Sequence, residues 1–235
     1  MKNELFRFKQ FSVDQAHCPM KINTDGVLLG AMAHHPSPRQ ILDIGTGTGV
    51  IALMLAQRFL AAQVEAVEID AQAADTANRN FENSGFVNRP VVYHISFEDF
   101  SAAKKYDLIV SNPPFFVNDL KNPDVRKTTA RHTNESFFQC LLQKSAAMLN
   151  EGGELWLILP VKQAEKIIAD ASGLGLVLAE RIQVHSDVSK PAFRQICCFS
   201  NRNEDFTEQD FMIYQSHSAY TEAYKQLLKD FFLIF

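Results

Sequence analysis

This sequence has no excess of basic charge. Its 235 residues carry 23 Lys and Arg against 27 Asp and Glu, a formal net charge of −4 and a pI of about 6.0. That balance excludes a protein held on nucleic acid by bulk charge, which takes clustered Lys and Arg, and leaves room only for a local basic patch. Cysteine is scarce: Cys18, Cys140, Cys197 and Cys198, with no C-x-x-C pair. The neighbours Cys197 and Cys198 point to opposite faces of a strand. The expectation is therefore reduced thiols, a cytoplasmic protein, and no zinc or other metal site. No uncharged apolar run is long enough to span a bilayer, and the opening MKNELFRFKQF sets charges among its apolar residues, unlike a secretory signal. Internal repeats and low-complexity tracts are missing too. What remains is an ordinary globular composition, 46% hydrophobic and 21% charged, long enough for one α/β domain with a small appendage.

The apolar patterns alternate in type along the chain. Residues 1–38 read as an N-terminal segment: FRFKQFSV alternates as a strand, and HCPMKINTDGVLLGAMA turns into a helix that Thr24 or Asp25 would cap. HHPSPRQ marks the boundary to a domain over 39–235. There QILDIG, AQVEAVEID, PVVYHIS, YDLIVS, ELWLILP, LVLAERIQVH and AFRQICCFS read as seven strands with helices between most of them. Alternating strands and helices predict a mostly parallel sheet with right-handed crossovers. The last two strands lack a helix between them, so one is expected antiparallel at the sheet edge. From residue 207 onward the tail reads as helical, with Tyr220, Tyr224, Leu227, Leu228, Phe231 and Phe232 at helical spacing.

Two places concentrate chemistry. LDIGTGTGVIAL sets Asp43, Gly45, Gly47 and Gly49 between the first strand of the domain and its helix. Glycines there permit a sharp turn and close approach of a ligand to the backbone. The G-x-G-x-G spacing is tighter than a dinucleotide fingerprint and lacks the lysine of a phosphate-cradling loop. Glu68 closes the next strand, where a carboxylate would accept two hydrogen bonds from a ribose diol, and Asp99 follows the third strand. Taken alone, each acid is equally a solvated charge or a helix cap. The second place is YDLIVSNPPFFVNDL: an apolar strand halted at Asn112 by Pro113 and Pro114, then Phe115 and Phe116. Adjacent prolines lack the N–H a strand needs and fix φ, so the corner is stiff. Such a corner holds two acceptors, the Asn112 side-chain carbonyl and the Pro113 backbone carbonyl, toward one planar NH2 group. Phe115 is placed to stack on the ring that carries it, while Phe116 faces the core.

Glycine loop, acid, acid and NPPF in this chain order resemble the class I S-adenosylmethionine-dependent methyltransferases over about residues 40–200, which implies a Rossmann-like, doubly wound fold and S-adenosyl-L-methionine as cofactor, with S-adenosylhomocysteine as product. NPPF resembles the (D/N/S)-P-P-(Y/F/W) motif of enzymes that methylate planar nitrogens. FKQFSVDQAHCPMKINTDGVLLGAMA, ARHTNESFFQCLLQKSAAMLNEGGELWLILP and AYKQLLKDFFL are similar to the bacterial tRNA1(Val) adenine-N6 methyltransferase family, so that the resemblance spans nearly the whole chain. It departs at Met32-Ala33, where a tryptophan is expected. The resemblance implies methyl transfer to the N6 amine of an adenine in tRNA, at position 37 of the anticodon loop. It assigns Lys21, Thr24, Asp25 and Gly26 to the mouth of the cofactor pocket; Ile69 and Phe97 are counted with Asp43, Glu68, Asp99 and Asn112 in its lining. Arg126, Lys127, Arg131 and His132 form the densest basic stretch near the corner, read either as a phosphate clamp or as a solvated loop. His132 as a proton acceptor is not required by the chemistry. The same motif admits methylation of a release-factor glutamine or of guanine N2 in ribosomal RNA, and a cofactor-binding scaffold without turnover stands outside the enzymes altogether. The expected partner is tRNA, with no membrane and no obligate protein partner.

Overall fold

A computed structural model describes residues 4–16, 18, 20–114, 126–203, 205–216 and 219–235, with backbone alone for 126–134. The N-terminal stretch forms a hairpin rather than a single strand, β1 (Leu5–Arg7) pairing antiparallel with β2 (Ser12–Asp14). Helix α1 (Thr24–Met32) follows. Its N-cap is Asn23, whose side chain accepts from the Gly26 N–H at 2.9 Å, so Thr24 and Asp25 occupy the first turn instead of the cap position expected for them. Then come β3 (Gln40–Ile44), α2 (Val50–Arg58), β4 (Gln63–Glu68), α3 (Ala71–Glu82), β5 (Val91–His94) and β6 (Tyr106–Ser111). The second half holds α4 (Arg126–Met148), β7 (Leu149–Pro160), α5 (Val161–Ala171), β8 (Val177–His185), β9 (Ala192–Ser200), β10 (Thr207–Met212), β11 (Tyr214–Ser216), β12 (Ala219–Tyr220) and α6 (Glu222–Leu228).

The expected α/β class holds, with a large, mostly parallel sheet. Its order among the described residues is β10-β8-β9-β7-β6-β3-β4-β5. Two details differ from the sequence-based expectation. The sheet has eight strands, because residues 207–212, expected to be helical, add β10 in parallel to β8. The antiparallel strand, β9, lies inside the sheet between β7 and β8 instead of at its edge. In the tail only Glu222–Leu228 is α-helical, and the predicted stripe survives there as buried Tyr224 and Leu228, followed by buried Phe231.

Alternation along the central strands sends side chains to two cores. Leu108, Val110, Trp156 and Ile158 face the side of α1 and α2. Ile109, Leu155 and Leu157 face the opposite side with Leu141, Leu142 and Ile167 of α4 and α5. Cys198 and Cys197 divide the same way, as their adjacency on a strand requires. The N-terminal segment shares the first core: Phe8, Phe11 and Val13 are buried in it, Phe8 stacks on Phe11 with centroids 4.4 Å apart, and the Lys9 N–H donates to the Phe231 carbonyl at 2.8 Å. Strand order reverses between β3 and β6. In open α/β sheets the crevice outside such a reversal, at the carboxyl ends of the strands, is where ligands bind.

Candidate active site

The carboxyl ends of β3 and β6 are joined directly. Ile44 and Ser111 stand in register, and the buried Ser111 hydroxyl donates to the Ile44 carbonyl at 2.8 Å. One residue beyond each lie Gly45 and Asn112. The loop that starts at Gly45 runs through three positive-φ glycines, Gly45, Gly47 and Gly49, at 72°, 56° and 83°. Gly49 is required twice over, since a Cβ there would stand 2.5 Å from the Phe81 ring. At Gly45 and Gly47 a Cβ would meet nothing within 4 Å, so the loop backbone faces open space. Asn80 anchors the loop from behind: buried on α3, it donates to the Thr48 and Asp14 carbonyls, each at 2.9 Å, and accepts from the Asp14 N–H at 2.8 Å.

Two acids hold the loop from below. Glu68, at the end of β4, accepts from the Gly47 N–H at 2.8 Å through Oε2 and from the Asp70 N–H at 2.9 Å through Oε1. Each oxygen keeps a second lone pair for another donor. Asp43 is fully buried; its Oδ2 accepts from the Thr46 hydroxyl at 2.6 Å, while its Oδ1 has no hydrogen-bond partner among the described residues. Burial pushes its pKa up to about 7, against the pull of the Thr46 hydrogen bond. Ile69, next along, is 69% exposed, an apolar side chain standing in solvent beside Glu68.

Asn112 presents the same signature as Asp43. Its Oδ1 is buried with no partner among the described residues. A buried acceptor left unpaired costs about 1–3 kcal/mol, so it calls for a donor beyond the described residues. Across from it stands α1: a Cβ on Gly26 would lie 3.7 Å from Asn112 Nδ2, an ordinary van der Waals contact, so the helix borders the corner there. Pro113 is buried and Pro114 exposed. Phe115 and Phe116 lie outside the described residues.

The remaining expected residues fall in different places. Asp25 is buried and ion-paired, its Oδ2 accepting from Arg194 Nε at 2.7 Å. Thr24 is exposed in the first turn of α1, and Lys21 is exposed and paired with Glu4 at 3.0 Å. Asp99 is exposed in the loop after β5, where its Oδ2 accepts from the Ser96 hydroxyl at 2.7 Å. Phe97 is buried in the second core beneath Lys144, whose ammonium lies 5.2 Å from the ring centroid. That ammonium also donates to the carbonyls of Phe97, Glu98 and Phe100 at 2.7–2.8 Å and so fixes the loop carrying Asp99. Arg126, Lys127, Arg131 and His132 are not in a loop: the backbone is already helical at Arg126, in keeping with the lack of Gly or Pro from there to Met148. Arg194, Lys144 and Asn80 were not singled out from sequence, because each acts through partners 32 or more residues away.

Among the described residues no three His, Cys, Asp or Glu side chains gather as a metal ion would need, and no helix is long and apolar enough to cross a membrane. The methyltransferase small domain family matches residues 21–181. The chain is 56% identical over 235 residues, all of both chains, to a protein of Pedobacter heparinus named tRNA1(Val) (adenine(37)-N6)-methyltransferase. A protein of that name from Christiangramia forsetii is 40% identical over 99% of both chains. Among solved structures, one from Agrobacterium tumefaciens described as a predicted O-methyltransferase superposes with a TM-score of 0.69, at 19% identity, over 88% of this chain and 96% of that one. A methyltransferase from Pyrococcus furiosus gives 0.61 at 23% identity, over 81% and 90%. These two establish the Rossmann-like methyltransferase fold.

Proposed function

This chain belongs to the methyltransferase small domain family, among the tRNA1(Val) (adenine(37)-N6)-methyltransferases, and on that premise we propose that it methylates the N6 amine of adenosine 37 in valine tRNA, in the cytoplasm. The observation that carries the site assignment is the unpaired, buried Asn112 Oδ1 at the sheet's switch point. The relatives' names do not favour the glutamine, guanine and scaffold alternatives.

The residues present fit S-adenosyl-L-methionine. Glu68 keeps lone pairs for a ribose diol, Gly45 and Gly47 open their backbone to a ligand, Ile69 offers an apolar face to a purine, and Asp43 Oδ1 is an acceptor in want of a donor. We assign Lys21, Thr24, Asp25, Gly26, Phe97 and Asp99 to the surrounding wall, with Asp25, Phe97 and Lys21 acting through the contacts described above. Bound there, the cofactor supplies an electrophilic methyl on a sulfonium.

The protein's part is to ready the amine. The lone pair of an exocyclic adenine nitrogen is delocalised into the ring, which makes it a poor nucleophile. Asn112 Oδ1 accepts one amine hydrogen and the Pro113 carbonyl, stiffened by Pro114, accepts the other. Two acceptors so placed favour a pyramidal nitrogen and localise its lone pair. No strong base is needed before attack, since the nitrogen loses its proton readily once it carries the new bond. Phe115 stacks on the target base, and an anticodon loop suits extrusion because its bases are already splayed or easily unstacked. The test is methyl transfer from labelled cofactor to unmodified valine tRNA, read as N6-methyladenosine at position 37 by nucleoside mass spectrometry. Transfer to a release factor and not to tRNA overturns the assignment.

A further inference from the structure

Strand β9 enters the sheet through a bulge. Val184 pairs with Arg194 and His185 with Ala192, which leaves Phe193 as the extra residue. Bulges of this kind re-aim one side chain and recur beside active sites. Here the re-aimed side chain is aromatic and 37% exposed, on a strand whose residues from Ile196 to Ser200 are all buried. Arg194 carries its guanidinium carbon 5.4 Å from the Phe193 ring centroid and donates through Nη1 to the Phe193 carbonyl at 3.0 Å. The bulge therefore presents a ring whose neighbour is a cation.

Its position matters as much as its chemistry. Arg194 stands in register with Pro160, at the carboxyl end of β7, and β7 is the direct neighbour of β6. Arg194 Nε also holds Asp25, the residue before Gly26, and Gly26 is the backbone that approaches Asn112. Phe193 thus lies on the same rim as the Asn112 corner, two strands along. Lys162 and Lys190 are exposed near it in sequence and register; the one carboxylate in the same hairpin turn, Asp187, is held ionised by the Ser189 hydroxyl and N–H and offsets part of that charge.

We propose that Phe193 is the platform on which an unpaired base neighbouring the target adenine stacks, with Lys162 and Lys190 placed for the backbone phosphates beside it. This proposal rests on the RNA reading above. An exposed ring rimmed by cations is the arrangement that holds single-stranded nucleic acid without reading its sequence. It supplies a second point of attachment on a chain whose net charge repels RNA.

The experiment compares steady-state methylation of valine tRNA by wild-type enzyme and by Phe193→Ala, Phe193→Trp and Phe193→Leu, with cofactor binding measured by calorimetry for each. Phe193→Ala is expected to raise KM for tRNA roughly ten- to a hundredfold, the worth of one base–aromatic stack, with kcat and cofactor affinity little changed. Phe193→Trp restores KM and Phe193→Leu does not. An unchanged KM for the alanine variant overturns the proposal. So does full rescue by leucine, which would mean plain apolar contact, or a parallel loss of cofactor binding, which would mean a structural role. If the wild-type enzyme transfers no methyl to tRNA at all, the parent reading fails and takes this one with it, a result visible before any variant is made.

Discussion

Asn112 concentrates the proposed chemistry in one oxygen. Since its Oδ1 has no partner among the described residues, Asn112→Ala removes an acceptor for the substrate without breaking a hydrogen bond among them. The expected outcome is a loss of kcat of roughly two to three orders of magnitude, comparable to deleting one preorganised partner of a developing charge. Cofactor affinity by calorimetry should stay within about threefold, and a large loss there contradicts the role. Asp43 makes a different trade. Its folded pKa, about 7, lies above the unfolded value of 3.8. The stability it contributes is therefore present below the unfolded pKa and lost as pH rises toward and through 7. Asp43→Asn carries no such penalty. Its stability relative to wild type should grow by about 2 kcal/mol between pH 5.5 and pH 8 in urea unfolding, while cofactor affinity falls. A pH-independent difference would show that Asp43 does not titrate in this range. Gly49, Glu68 and Asn112 were legible in the sequence because each is dictated by its own backbone position: a turn, a strand end, a proline corner. Asp25 was singled out from the sequence but not as half of an ion pair, since nothing near it in sequence announces Arg194.

At the scale of elements, what was readable followed from apolar periodicity, and what was missed lacked it. Strand β10, TEQDFM, has four exposed residues before two half-buried ones. Its pairing with β8 is instead a polar ladder: Arg181 Nε to Glu208 at 2.8 Å, Gln209 to Glu180 at 3.0 Å, and His185 Nε2 to Asp210 at 2.9 Å. Opposite charges and amides across an edge strand stabilise it without leaving an alternating apolar trace, so the segment read as part of a helical tail. Its polar edge also discourages pairing with another chain. One rung is titratable. The Lys190 carbonyl, and then Asp210, raise the pKa of His185 above its ordinary value. A raised histidine stabilises the fold below the unfolded pKa, and that contribution is lost as pH rises through the folded one. Amide exchange at residues 207–212, corrected for intrinsic rates, should speed up across that window. Asp210→Asn should lower the His185 pKa seen by NMR; a pKa unmoved by the substitution would show that the rung is not formed.

For the whole molecule, charge governs how RNA can be held. With a net charge of −4, the average surface repels a phosphate backbone, so affinity has to come from cations gathered on one side. The sequence pointed to Arg126, Lys127 and Arg131, and the backbone places all three in the first turns of α4, which begins 14 residues after Asn112. Each lysine or arginine that neutralises a phosphate adds about 0.7–0.9 to the magnitude of the slope of log K against log salt. Replacing all three by glutamine should therefore flatten that slope for valine tRNA by about two to three, with affinity lost mainly at low salt. Cofactor binding, which we assign to the glycine loop, should not follow. The comparison separates two geometries of the same enzyme. A flattened slope places the phosphate backbone across the start of α4. An unchanged slope places it instead along the rim toward Phe193, Lys162 and Lys190, and substitution of those two lysines should then produce the flattening.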